Sequence, residues 1–260
     1  MGSGVASGNL SERVGSRMLR NAQTGNGKRE RGRGKGDTGR VERAGYGLIE
    51  TLRVREGRVP FLERHLARLE RSLRELDLPQ PSKDVAGLVR PFAGTEEAVL
   101  RVEVCDGRAT VTVRELLARD RPLVITATEP HEPYPHKTTR RDCFSDAAAE
   151  AEEEAADDAL LLTHEGLVAE GTVWSIFWWE GAWLRTPALD LGILPGVGRA
   201  RVLELTQQVE EGRYLREALE ERSLFLTNAV RGVIAIASLD GRPVPTDPRT
   251  AGLARRFWPD

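Results

Sequence analysis

The chain reads as an α/β protein of α+β character, in two domains and without the regular βαβ rhythm of a dinucleotide-binding fold. Three observations predict this. Short runs of β-branched and apolar residues recur between Gly, Pro and Asp punctuation, and helical periodicity is confined to a few separate stretches. The 260 residues, 40% hydrophobic and 30% charged, suffice for one large domain or two modest ones with a buried core.

Residues 1–41 stand apart. They hold ten glycines and the basic run Lys28-Arg29-Glu30-Arg31-Gly32-Arg33-Gly34-Lys35, with almost no periodic apolar residues, so burial cannot offset their ordering entropy. They are read as a disordered basic tail, passive or a start codon assigned too early. An arginine–glycine contact to nucleic acid is the rival reading. Residues 1–43 carry ten basic and four acidic side chains, so a whole-chain charge of −2 leaves the rest at −8. An acidic body gives no reason to expect nucleic acid as a partner.

A small N-terminal domain is expected over 42–121. Its first strand covers 47–55 and turns at Glu56-Gly57-Arg58 into Val59-Pro60-Phe61. Leu62, Leu66, Leu69, Leu73 and Leu76 recur at steps of four and three, one face of a helix that stops before Pro79. His65 and Arg68 lie beside that stripe. Asp106-Gly107 then turns a hairpin between 98–104 and 110–113.

A larger domain is expected over 122–260. A strand at 123–127 leads into Glu129-Pro130-His131-Glu132-Pro133-Tyr134-Pro135-His136-Lys137, where the prolines enforce an extended loop. An acidic, alanine-rich helix covers 143–156. Segments 159–163, 167–170, 173–179 and 182–186 read as successive strands of an antiparallel meander. Gly196-Val197-Gly198 opens a helix over 199–210. Strands at 224–226 and 233–239 and a short helix at 249–257 complete the chain.

There is no P-loop, dinucleotide fingerprint or nucleophile elbow, and Cys105 and Cys143 show no metal or redox spacing. No metal is expected, and unpaired thiols suit a reduced, cytoplasmic setting. No apolar run approaches the roughly 20 residues of a membrane span, and the N-terminus lacks the apolar stretch of a secretory signal.

Three features suggest a cofactor that binds through phosphate and reacts through an amine. Only four of the 38 basic residues are lysine, and Lys137 stands at the end of the proline loop. A lysine in a partly apolar pocket loses its proton readily and can form a Schiff base, which arginine cannot. Glu170, at a strand end, could pair with a pyridinium nitrogen. Gly196-Val197-Gly198-Arg199 offers free N–H groups at a helix start, a phosphate site. Each has an ordinary rival: a solvated loop lysine, a surface glutamate, a glycine turn.

The order and spacing of six stretches resemble the class IV (fold type IV) pyridoxal-phosphate enzymes. They are Gly47-Leu48-Ile49-Glu50-Thr51-Leu52-Arg53, Phe61 through Leu69, His136-Lys137-Thr138-Thr139, Asp158 through Thr172, Gly192 through Arg199, and Leu226 through Gly232. The resemblance implies a small α/β domain beside a larger one with a barrel-like sheet, the cofactor in the cleft between them, and a homodimer. It implies Lys137 as the Schiff-base lysine and Glu170 as partner of the pyridine nitrogen. Arg68 then binds the cofactor phosphate together with the backbone of Val197 and Gly198 and the Asn228-Ala229 pair.

Within that family the aminotransferases usually have threonine at the Gly198 position, a hydroxyl at the Ala229 position and tyrosine at the Asp142 position. This chain has none of the three. Lys137-Thr138-Thr139 with Arg141, and Asn228-Ala229-Val230-Arg231-Gly232, are more similar to aminodeoxychorismate lyase, whose substrate carries two carboxylates; Arg141 and Arg231 are candidate clamps. The two strands that usually precede the Gly47 segment are not recognisable. The resemblance therefore implies a lyase that makes 4-aminobenzoate and pyruvate, with a branched-chain or D-amino-acid aminotransferase as the alternative.

Overall fold

The computed structural model describes residues 46–94, 97–116 and 121–259; the tail expected over 1–41 lies outside them. Strands β1 (Gly47–Arg55), β2 (Glu97–Cys105) and β3 (Arg108–Arg114) form an antiparallel sheet in the order β1-β2-β3. Asp106 and Gly107 both have positive φ (48° and 72°), the geometry of a tight hairpin turn whose twist matches its strands. Side chains alternate along β1, so Leu48, Leu52 and Val54 face helix α1 (Leu62–Glu75) and pack with its Leu69 and Leu73. Helix α2 (Val85–Val89), started by the Asp84 side chain accepting from Ala86 and Gly87 N–H, closes the same core.

The turn after β1 does not lead into a strand. Only Arg55 and Arg58 exchange backbone hydrogen bonds. Pro60 has no N–H to continue the ladder, and Phe61, at φ 62°, turns the chain into α1.

The remaining strands form two five-stranded sheets. One has the order β13-β12-β4-β5-β6, from β4 (Leu123–Thr126), β5 (Asp158–Leu162), β6 (Val168–Gly171), β12 (Ser238–Leu239) and β13 (Arg242–Pro243). The other has the order β11-β10-β7-β8-β9, from β7 (Ser175–Glu180), β8 (Trp183–Pro187), β9 (Val209–Gly212), β10 (Ser223–Asn228) and β11 (Gly232–Ala235). Helix α3 (Asp142–Glu153) links the parallel pair β4 and β5, and α4 (Val197–Leu205) links the parallel pair β8 and β9. Helix α5 (Pro248–Arg256) packs on the second of these sheets through Leu253.

Three expectations change here. The four-strand meander breaks between β6 and β7, which lie in different sheets: the Asp158 carboxylate accepts from the N–H and hydroxyl of Thr172, and the chain turns out of the first sheet. The segment 233–239 likewise divides between β11 and β12. These crossings join the sheets through a shared core that includes Leu160, Val168, Ile176, Trp178 and Leu226, but among the described residues the ladders do not close into a barrel. The helix expected to reach residue 210 ends at Leu205, because the extended residues after it pair with β8.

Candidate active site

A cavity of about 330 Å³ is lined by all nine residues singled out from the sequence: Arg68, Lys137, Arg141, Glu170, Val197, Gly198, Asn228, Ala229 and Arg231. They come from α1, the proline loop, the end of β6, the start of α4 and the turn after β10.

Lys137 is held by its neighbours' backbone. Its carbonyl accepts from Ile49 N–H (2.7 Å), and Gly47 and Thr139 bond one another on the far side, so the segment lies antiparallel beside β1, bridged to it at Leu48 and Thr138. The Tyr134 hydroxyl donates to Thr138 O and accepts from Thr138 N–H, both at 2.6 Å. The side chain is half-buried, and burial, reinforced by the Arg141 and Arg68 charges, pulls its pKa down to about 7 against the opposing pull of Glu50 and Glu170. Near neutral pH a large fraction of this amine is therefore uncharged and nucleophilic.

Glu170 is 4% exposed. Its Oε1 accepts from His131 Nε2 and from Leu194 N–H, each at 3.0 Å; a carboxylate only accepts, so Nε2 carries the proton. Both bonds fall on one oxygen, and Oε2 takes none from the described residues. A buried carboxylate with one oxygen committed and one open is suited to receive a ligand N–H.

At the other end, Gly196 gives the first turn of α4 no side-chain cap, so the early N–H groups are available to an anion. Gly198 lies against β10: a Cβ there would sit 2.7 Å from both Cα and the carbonyl carbon of Asn228. Asn228 Oδ1 accepts from Val230 and Arg231 N–H, so this atom shapes the turn. Thr227 and Ser175 also line the cavity, and Thr227 Oγ1 is buried with no hydrogen-bond partner among the described residues. The cavity thus has hydroxyls at 175 and 227, although positions 198 and 229 carry none.

Arg68 is locked by Glu50. Its Nε and Nη2 donate to the two carboxylate oxygens at 2.8 and 2.5 Å, and Nη1 reaches Pro195 O at 3.3 Å. His65 Nδ1 adds a third contact at 2.7 Å. Burial alone would raise the Glu50 pKa; Arg68 and His65 overcome it and hold the group at about 2. Burial lowers the pKa of His65, against the pull of Glu50. Its buried Nε2 has no partner among the described residues, and the residue lines the cavity.

Sequence reasoning missed Glu50, Tyr134, His131 and Thr227. Glu50 had a signal: it interrupts the apolar alternation Leu48, Leu52, Val54, the place where a charge must find a partner. His131 and Glu170 meet from 39 residues apart, which no local pattern announces.

The amino-transferase class IV family model matches residues 47–239. The chain is 27% identical over 229 residues to the aminodeoxychorismate lyase of Bacillus subtilis, covering 75% of this chain and 78% of that one. A candidate branched-chain amino acid aminotransferase from Thermotoga maritima superposes with a TM-score of 0.76 at 26% identity, over 83% of this chain and 86% of that one. A candidate 4-amino-4-deoxychorismate lyase from Legionella pneumophila gives 0.72 at 22% identity, over 81% and 91%, a likeness of fold. The matched span takes in the lysine loop, the buried glutamate and the uncapped helix start, and the chain belongs to the amino-transferase class IV family of enzymes.

Proposed function

We propose that the chain is a pyridoxal-phosphate lyase that converts 4-amino-4-deoxychorismate to 4-aminobenzoate and pyruvate. The observation that carries the reading is the pairing, across one cavity, of a lysine with a pKa of about 7 and a buried carboxylate with one oxygen that takes no bond from the described residues. The residues present fit the cofactor: an amine for its aldehyde, Glu170 Oε2 for its ring nitrogen, and uncapped N–H groups with the unpartnered Thr227 hydroxyl for its phosphate.

When bound, pyridoxal phosphate supplies an aldehyde that joins the substrate amine and a ring that takes up electrons. Lys137 Nζ then moves the proton: uncharged, it removes hydrogen from the substrate's amine-bearing carbon, and charged, it can return a proton to the departing three-carbon group, which leaves as pyruvate. Loss of that group aromatises the ring. Glu170 supplies negative charge at the opposite end, and Arg68 with Val197, Gly198, Asn228 and Ala229 forms the anion-binding end. Arg141 and Arg231 line the same cavity and bring positive charge to the side that receives the substrate. We propose that the enzyme acts as a homodimer.

The second reading is an aminotransferase, favoured by the likeness to the Thermotoga maritima protein. Purified enzyme loaded with pyridoxal phosphate separates the two. A lyase releases pyruvate from aminodeoxychorismate and leaves the cofactor absorbance unchanged with an amino acid alone. Conversion of the absorbance by an amino acid, without pyruvate from aminodeoxychorismate, sinks the lyase reading.

A further inference from the structure

Arg114 enters the cavity wall from the three-stranded sheet, outside every segment that carried the family resemblance. The register places it in one row with Arg53 and Val99, since Arg53 pairs with Val99 and Val99 with Arg114. Residues in such a row project from the same face of a sheet. That face is turned away from α1: Ala109 and Val111 pack into the α1 core, while Thr51 and Arg114 line the cavity. Arg53 is neutralised by Glu97 at 2.7 Å and donates to Val230 O. Arg114, two strands away and so roughly 10 Å distant, has no ion pair or hydrogen bond with the described residues.

Arg141 shows the same lack of a carboxylate partner among the described residues. Its Nη2 donates to Thr172 O, and its guanidinium lies over the rings of Phe144 (5.0 Å) and Tyr134 (5.8 Å). Other arginines of the body do meet carboxylates: Arg199 meets Glu211, Arg216 meets Asp240 and Arg185 meets Glu180 and Glu210. In a body with a net excess of acid, two guanidinium groups that line one cavity have no carboxylate partner among the described residues. Guanidinium binds carboxylate in a two-bond fork, so such groups are sites for anionic parts of a ligand.

We propose that Arg114 and Arg141 form a two-point clamp for a dicarboxylate substrate, with Arg141 holding the ring carboxylate, which 4-aminobenzoate keeps, and Arg114 the carboxylate of the three-carbon group that leaves. The clamp rests on the functional reading above and narrows it to substrates with two anionic groups. A single-carboxylate amino acid uses only half of it.

The test is calorimetric titration of the cofactor-loaded enzyme with chorismate, which has two carboxylates and no amine, and with 4-aminobenzoate, which has one. Arg114→Gln weakens chorismate about tenfold or more, the scale of one lost charge-assisted contact, and leaves 4-aminobenzoate within about twofold. Arg114→Lys restores part of the chorismate affinity. Equal weakening of both ligands, or no weakening of chorismate, overturns the clamp. Arg114 is exposed, and unchanged pyridoxal-phosphate affinity in the variants confirms an intact fold. The titration does not depend on turnover: if wild type releases no pyruvate from aminodeoxychorismate, the lyase reading falls, while chorismate binding still decides the clamp.

Discussion

Glu50 and Arg68 meet through two hydrogen bonds, Nε to Oε1 at 2.8 Å and Nη2 to Oε2 at 2.5 Å, with Glu50 only 3% and Arg68 only 7% exposed. One partner sits in the middle of β1 and the other on the helix packed against it, so the pair ties the guanidinium to the sheet. An arginine side chain otherwise loses much rotamer freedom on binding an anion; here Glu50 has already fixed it, with Nη1 directed at the Pro195 carbonyl just before α4.

Glu50→Gln leaves the Arg68 charge buried without its counter-charge, and the expected cost is ~3 kcal/mol of stability, read by urea unfolding of the cofactor-free chain. Cofactor affinity should fall as well, because Arg68 is no longer held. The pH dependence has a definite sign. With a native pKa of about 2 against an ordinary 4.5, the group's contribution is present in full above the ordinary value and is lost as pH falls towards the native one. A variant as stable as wild type, with the same acid limb, contradicts this account.

Lys137 has the opposite sign. Its pKa is lowered from 10.5 to about 7, so between those values this residue binds more protons in the unfolded chain than in the native one, and its contribution to the stability of the cofactor-free protein rises with pH across that window. Lys137→Met should abolish the rise and gain stability below about pH 7, where wild type bears the cost of a desolvated ammonium. Unfolding curves at about pH 7 and about pH 10 decide it; the same pH slope in both proteins refutes the shift. Incubated with pyridoxal phosphate, the variant should also lack the absorbance change of wild type.

Gly198 is required by the close approach of Asn228, since any Cβ would meet that backbone at 2.7 Å. Gly198→Ala must push α4 away from the end of β10, an overpacking cost of ~1–3 kcal/mol, and must misplace the uncapped N–H groups. A lower melting temperature together with weaker pyridoxal-phosphate binding is expected. If the alanine variant melts and binds as wild type does, the contact is not limiting. The threonine that aminotransferases usually place here would need a different spacing between these two segments.

The structure also explains how much was legible beforehand. The leucine stripe of α1, the Asp106-Gly107 hairpin and the strand at 47–55 were legible because their cause is local: side-chain period and turn chemistry act within a few residues. The end of α4 was not, because pairing with β8 decides it. The sheet changes after β6 and β11 were equally hidden, since alternation describes a strand and says nothing of its partner.

By itself, the sequence determined that Lys137, Glu170 and the Gly196 helix start exist, and the order of motifs assigned them to one kind of chemistry. Tertiary structure alone decided that they share a cavity, that burial and the charges of Arg141 and Arg68 pull the Lys137 pKa down to about 7, and that one Glu170 oxygen takes no bond from the described residues. It also decided that Arg114 joins them. The reason is physical: desolvation and charge–charge coupling depend on distance through space, and residues 39 or 127 positions apart become neighbours only once the sheets and helices have packed.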